Sequence, residues 1–252
     1  MSTILITGGT GMLGRSLSKL LTGQGVRHTI GSRNNTMGIP NWVKMDLLNN
    51  EGVKEALHGK EIIFHLATDY KKDRAVTQNL LQAIDRNAKN VHLLYISIVG
   101  IDKVPYDYYK QKLLSEYTIK ESGVPYTILR ATQFHEFIDY KISTFLKYPI
   151  GLLPKKIISQ PIQKEVVATE LYKLSTGKAS DNTVEIGGPE ALTLEQMAKD
   201  WLKHTGKKRW MLNLPIWGHL GTAFRNGSLT TLNSKAESMS WGEWLKQKYK
   251  NA

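Results

Sequence analysis

A chain of 252 residues, 41% hydrophobic and 22% charged with a mean hydropathy of −0.32, holds enough apolar content for one large or two small globular domains. No apolar run reaches the roughly 20 residues of a membrane helix, and the opening M-S-T-I-L-I-T-G-G lacks a secretory signal's basic and long apolar segments, so a cytoplasmic location is expected. The absence of cysteine excludes disulfides, zinc–thiolate sites and cysteine catalysis, and the net charge of +12 comes from basic residues scattered in ones, twos and threes, a solvated surface with no nucleic-acid or membrane partner expected.

In chain order, short apolar runs alternate with stretches of helical spacing. Ile4-Leu5-Ile6 reads as a strand, and Leu13, Leu17, Leu20 and Leu21 as one face of the helix after it. Strand-like runs follow at 26–31, 42–45, 61–66, 91–97 and 126–130. Between the last three, Val76, Leu80, Leu81 and Ile84 form one helical face and Leu113, Leu114 and Tyr117 another, with Gly123 and Pro125 stopping the second helix. This alternation predicts right-handed βαβ crossovers and a parallel sheet covered by helices on both faces. Beyond about residue 131 it fades. T-V-E-I-G at 183–187 is one more strand candidate, and Thr193 with Gln196 forms a capping box ahead of an amphipathic helix carrying Leu194, Met197, Ala198, Trp201 and Leu202. Five of the six tryptophans lie between 201 and 244, which predicts their packing in a smaller C-terminal lobe. Residues 1–150 are thus expected to form the α/β domain, and 151–252 a lobe packed on it rather than an independent domain.

The first strand runs into T-G-G-T-G-M-L-G-R at 7–15, where Gly8, Gly11 and Gly14 recur every third position. Such a loop either presses backbone N–H groups against a phosphate at a helix N-terminus or serves as an ordinary Gly-rich turn. Its position between strand and helix of a βαβ unit supports the phosphate reading. The T-G-x-x-G-x-x-G spacing resembles the extended and atypical short-chain dehydrogenase/reductase superfamily. So do M-D-L with Asp46 after the third strand, F-H-L-A-T at 64–68 and L-Y-I-S-I-V-G at 94–100. S-G-V-P-Y-T-I-L-R-A-T-Q-F at 122–134 and I-G-G-P-E-A-L-T-L-E-Q-M at 186–197 resemble its NmrA-like, NAD(P)H-binding subgroup.

The resemblance implies a Rossmann-type doubly wound parallel sheet with a smaller C-terminal substrate lobe. It implies a cofactor held by Gly8, Thr10, Gly11, Met12, Leu13 and Gly14 in the loop, by Asp46 on the adenine side, and by Leu66, Ala67 and Thr68 after the fourth strand. Lys112 would add a ribose contact, and Ala131, Thr132 and Phe134, with Gln133, would border the nicotinamide and substrate after the sixth strand. NAD-preferring folds of this type carry an acidic residue at the end of the second strand to meet the ribose 2′-hydroxyl. Here Gly31-Ser32-Arg33-Asn34-Asn35 stands instead, and a guanidinium suits a 2′-phosphate, so Ser32 and Arg33 point to NADP(H) over NAD(H), with Arg15 as a second cation near the phosphates.

Hydride transfer to a carbonyl leaves an alkoxide that needs a proton. Tyr108 and Lys112 stand at i and i+4, the Y-x-x-x-K pattern that supplies it in catalytic members of the superfamily. Lowering a tyrosine from about 10 to about 7 requires roughly 4 kcal/mol, which an ammonium about 4 Å away supplies at an effective dielectric near 20. A half-buried structural aromatic remains an open reading of Tyr108, whereas Lys112 also matches, by its distance from Gly123, the lysine of isoflavone-reductase-like relatives. Ser97, at the end of the fifth strand, either polarises a carbonyl or touches the cofactor ribose. His135 beside Glu136 reads as local polar structure, and no metal is assigned. The expected protein is an NADP(H)-dependent oxidoreductase acting on a small carbonyl, quinone or similar acceptor. Its alternative is a non-catalytic NADP-binding redox sensor, and an epimerase with bound NAD⁺ is disfavoured by Arg33.

Overall fold

The computed structural model describes residues 3–35, 38–84 and 91–250. In chain order the elements are β1 (Ile4–Thr7), α1 (Met12–Gly23), β2 (Thr29–Ser32), β3 (Trp42–Lys44), α2 (Val53–Leu57), β4 (Ile62–His65), α3 (Asp73–Ala83), β5 (His92–Ile98), α4 (Asp107–Lys120) and β6 (Tyr126–Ala131). They continue as α5 (His135–Phe145), β7 (Ile150–Leu153), β8 (Ile158–Ser159), α6 (Lys164–Ser175), β9 (Asn182–Ile186), β10 (Leu192–Thr193), α7 (Leu194–Thr205), β11 (Trp210–Asn213), α8 (Gly218–Arg225) and α9 (Trp241–Lys248).

The chain forms two compact units. The first comprises Met1–Ser97, Asp107–Arg130 and Lys164–Val184, and the second Ile98–Tyr106, Ala131–Gln163 and Glu185–Ala252. A single break near residue 150 therefore does not describe it. The chain returns to the first unit after 163 because α6 buries Val167, Ala168 and Leu171 and packs against α1.

The central sheet has seven strands in the order β3-β2-β1-β4-β5-β6-β9, with β1 parallel to both β2 and β4. The inner strands β1, β4 and β5 are largely apolar runs, as burial on both faces demands, whereas the edge strands β3 and β9 are only partly buried. Alternate residues serve opposite sides: Leu5, Ile63, Leu93 and Tyr95 join Val76 and Leu80 of α3 and Ile119 of α4 in one core cluster. Ile6, Phe64 and Leu94 are buried on the other side by the same alternation. The order reverses at β1, since β2 lies on one flank and β4 on the other. The loops after those two strands open the crevice in which ligands of such sheets sit.

The second unit has its own cluster around Ile138, Ile142, Leu153, Met197, Trp201, Trp241 and Leu245. Capping boxes at Thr193 and Ser240 start α7 and α9. Asp139 accepts hydrogen bonds from Trp201 Nε1 (2.8 Å), Lys248 Nζ (2.6 Å) and Tyr249 OH (2.7 Å), tying α5 to α7 and α9. His135 stacks with Trp241 and Trp244 at centroid distances of 5.9 and 5.4 Å. Only part of the tryptophan cluster is packing: Trp201 and Trp241 are buried, whereas Trp210 and Trp217 stand out in solvent.

Candidate functional site

The glycine loop is a close-packed turn. Gly8 has φ +65°, and a Cβ there would lie 2.6 Å from the Ala67 nitrogen and 2.9 Å from the Leu66 carbonyl carbon, so the loops after β1 and β4 touch backbone to backbone. A Cβ on Gly14 would meet Gly8 O at 2.5 Å, which lets α1 begin directly against the loop. Neither a side-chain cap nor an acidic residue closes the first turn of α1. Its N–H groups and positive dipole end are thus left to an anion.

A crevice of about 430 Å³ opens here. It is lined by Gly8, Thr10 and Gly11 from the loop, Ser32 and Arg33 from the end of β2, Asp46 after β3, and Leu66, Ala67 and Thr68 after β4. Nine of the residues expected from the sequence thus meet around one cavity. Thr7, Gly31, Asn34, Met45, Leu47, Leu48, Asp69 and Val76 complete the lining and were not anticipated. Met12, Leu13 and Gly14 form the first turn of α1 beside it. Ala131, Thr132 and Phe134 belong to the second unit, where Thr132 Oγ1 accepts from Gly188 N (3.3 Å) and Phe134 bridges Ile162.

Two expected ligand side chains are occupied within the fold. Ser32 Oγ donates to Asn34 O (3.0 Å) and accepts from Trp42 Nε1 (2.8 Å), so its proton already shapes the loop. Asp46 accepts from the Leu48 and Asn49 N–H groups and from Asn49 Nδ2, at 2.9, 3.1 and 3.0 Å. The exposed Arg33 lines the crevice, and among the described residues it has no such tether.

Under the crevice lies a buried polar floor that sequence reasoning missed. Asp73, at the start of α3, accepts from Thr68 Oγ1 (2.6 Å), Tyr95 OH (2.7 Å), Ser115 Oγ (2.8 Å) and Asp69 N (3.3 Å). Lys112 Nζ stands 3.6 Å from Asp73 Oδ2, donates to Ile96 O (2.9 Å) and lies 4.1 Å over the Tyr95 ring. Burial alone would raise the Asp73 carboxyl, but Lys112 and the three hydroxyl donors outweigh it and hold it below the usual value. On Lys112 burial wins, and its pKa falls despite the pull of Asp73 and Glu116. The two shifts share a sign because the carboxylate has four donors besides the ammonium, whereas the ammonium has one carbonyl and one carboxylate. His65 lies between Thr7 Oγ1 (2.9 Å) and Thr77 Oγ1 (3.1 Å), and burial depresses it to about 3, so it is neutral. No sequence pattern marked these partners: an acidic first residue of a helix reads as an ordinary end-of-helix charge.

The tyrosine–lysine arithmetic is corrected by this floor. Tyr108 OH meets Thr68 Oγ1 at 3.0 Å, and its ring packs 4.7 Å from that of Tyr70. Thr68 has one hydroxyl hydrogen, and a carboxylate can only accept. With that hydrogen on Asp73, Tyr108 is the donor to Thr68. Burial pushes the Tyr108 hydroxyl well above the usual tyrosine range, Asp73 pushes it the same way, and the Lys112 charge is engaged at Asp73. Tyr108 and Lys112 are therefore linked through Thr68 and Asp73. Ser97 is buried, and among the described residues its Oγ has no hydrogen-bond partner.

Fold and crevice together define a dinucleotide-binding protein of the Rossmann class. The chain belongs to the NAD(P)H-binding family, whose model matches residues 8–151. A nicotinamide dinucleotide fits the residues present: an uncapped helix turn for the diphosphate, on a loop whose glycines let it pack tightly against the β4 loop and the start of α1. Among its relatives, prestalk A differentiation protein A of Dictyostelium discoideum is 23% identical over 223 residues, 82% of this chain and 70% of that one. The NADPH-dependent quinone oxidoreductase of Escherichia coli, solved with NADPH, superposes with a TM-score of 0.80 at 19% identity, covering 98% of this chain and 99% of that one. The triphenylmethane reductase of Citrobacter gives 0.79 at 17% over 99% and 100%, and a nucleoside-diphosphate-sugar epimerase of Staphylococcus aureus 0.77 at 15% over 98% and 100%. At these identities the likeness is one of fold.

Proposed function

We propose that the protein is an NADP(H)-dependent oxidoreductase that reduces a small carbonyl, quinone or similar acceptor. The observation that carries the cofactor choice is Arg33 at the crevice end of β2, where no carboxylate competes. The two acidic residues of the lining, Asp46 and Asp69, are folded into their own turns, with Asp69 Oδ1 accepting from Lys71 N and Lys72 N. The quinone and dye reductases among the similar structures support the choice of reaction.

A bound NADPH supplies the hydride. Lys112 holds the end of β5 through the Ile96 carbonyl and balances Asp73. Tyr108 is the proton donor: kept neutral by burial, it gives its proton to an alkoxide, which is a stronger base than a phenolate. Thr68 holds that hydroxyl until an acceptor oxygen replaces it, and Ser97 offers a second hydroxyl.

Calorimetry with NADPH and NADH tests the cofactor choice. NADPH should bind tighter, and Arg33→Ala should weaken NADPH about ten- to a hundred-fold, the loss of one charge-assisted contact, with NADH unchanged. Equal affinities would remove the assignment. NADPH oxidation across a quinone and aldehyde panel tests the chemistry, with turnover expected to fail in Tyr108→Phe. Stoichiometric binding without reduction of any acceptor would favour the sensor reading, which the relative named for cell differentiation keeps in view.

A further inference from the structure

The second unit carries an outward face that a solvated sheet would not have. β7 and β11 pair in parallel, with Trp210 opposite Ile150 and Leu212 opposite Leu152. The inward positions Gly151 and Leu153 are buried, and Met211 packs on the tryptophan-rich cluster. By alternation the outward positions should then be polar. They are Ile150, Leu152, Trp210 and Leu212, exposed by 61, 53, 76 and 53%. Trp217, 80% exposed, extends the apolar surface past the end of β11, beside a cleft of about 250 Å³ lined by Lys156, Leu214, Trp217 and Phe224.

The two segments that supply this face carry charge of one sign. Residues 140–163 and 201–236 contain no Asp or Glu and carry four and six basic residues, ten charges of a net +12. Because the strands are parallel, Lys147 before β7 and Lys207-Lys208-Arg209 before β11 enter at the same end, and Lys155-Lys156 follow β7 at the other. Lys147, Lys156, Lys207 and Lys208 are exposed, while Lys155 is engaged with Glu195 at 3.4 Å. Scattered along the sequence, these charges are collected by strand pairing.

We propose that this face docks on a bilayer surface containing anionic phospholipid, with Trp210, Leu212, Ile150 and Leu152 entering the interfacial zone and the flanking lysines meeting the headgroups. Apolar side chains with a tryptophan, ringed by basic residues, match the two attractions that hold peripheral proteins on such surfaces. Three of the four outward side chains are aliphatic and give nucleic-acid bases no stacking platform. A second copy placed face to face would set these basic ends near their own copies, and four residues fall far short of the roughly 20–30 per side of a stable interface. Such docking departs from the expectation of no membrane partner, drawn from charge scatter along the chain.

The test is sedimentation of the full chain with vesicles of phosphatidylcholine alone, or mixed with phosphatidylglycerol in roughly a two-to-one ratio. Binding is expected to the mixed vesicles only, reversed by salt and accompanied by a blue shift of tryptophan emission that is smaller in Trp210→Ser. Partitioning should fall at least about ten-fold both in Trp210→Ser/Leu212→Ser and in Lys207→Glu/Lys208→Glu. Unchanged NADPH affinity and melting temperature in both show that the fold survives, and separate this result from the fate of the oxidoreductase reading. The proposal is overturned by no binding to the mixed vesicles, by equal binding to both, or by apolar variants that bind like the parent. A dimer in solution that Trp210→Ser dissociates, without vesicle binding, would equally overturn it and assign the face to a second copy.

Discussion

Asp73→Asn is expected to unfold the first unit more readily than Lys112→Met, although each removes one half of the same buried pair. Removing one partner of such a pair costs about 3–5 kcal/mol, because the other charge stays buried without compensation. The two halves are unequally provided for. Without Lys112, Asp73 keeps its bonds from Thr68, Tyr95, Ser115 and the Asp69 N–H, at 2.6, 2.7, 2.8 and 3.3 Å. Without the Asp73 carboxylate, Lys112 keeps the Ile96 carbonyl at 2.9 Å and the face of Tyr95. Lys112→Met therefore falls near about 3 kcal/mol and Asp73→Asn near about 5 kcal/mol. The double variant should cost clearly less than their sum, since neither charge is then stranded. Urea unfolding at neutral pH, followed by circular dichroism with unchanged slope, measures all three. Equal losses in the single variants, or strict additivity in the double, would refute the coordination argument. The pH dependence has a defined sign. Asp73 is held below its ordinary 3.8, so its contribution is full above that value and is lost as pH falls through the folded pKa. The Asp73→Asn curve should lack that acidic limb.

Three further outcomes follow from the same geometry. His65 is neutral in the fold with a pKa of about 3 against an ordinary 6.5, so the unfolded chain takes up its proton first. Stability should drop by about 2–3 kcal/mol between roughly pH 6.5 and 4.5, and His65→Gln should flatten that slope in urea titrations. Gly8→Ala combines a left-handed φ with a Cβ 2.6 Å from the Ala67 nitrogen. It should cost about 2 kcal/mol or more and abolish NADPH binding in calorimetry, and retained affinity would mean that the loop is an ordinary turn. Thr193→Ala removes the capping box of α7. About 1 kcal/mol should be lost in thermal unfolding, with NADPH affinity untouched because α7 lies outside the crevice lining.

The local periodicities were readable without coordinates, because they depend on neighbours within a few residues. Apolar runs at 4–6, 61–66 and 91–97 became β1, β4 and β5, and T-V-E-I-G became β9. The capping box at Thr193 formed as spaced. The close-packed glycine turn was equally legible, since Gly8 and Gly14 mark places where a Cβ has no room. Contacts between distant residues were not. Asp73 meets Lys112 only because α3 and α4 pack side by side, and that pairing moves the lysine's charge from Tyr108 to a carboxylate 39 positions away. Ser32 was named for its place at a strand end, yet its proton is used by Asn34, a consequence of how the loop closes. The return of α6 to α1 likewise defeats any single boundary near 150. Spacing thus determined which residues are helical, extended or glycine by necessity. Only the folded chain decided which charges face each other, because electrostatic and hydrogen-bond energies depend on distance in space, to which separation along the chain is no guide.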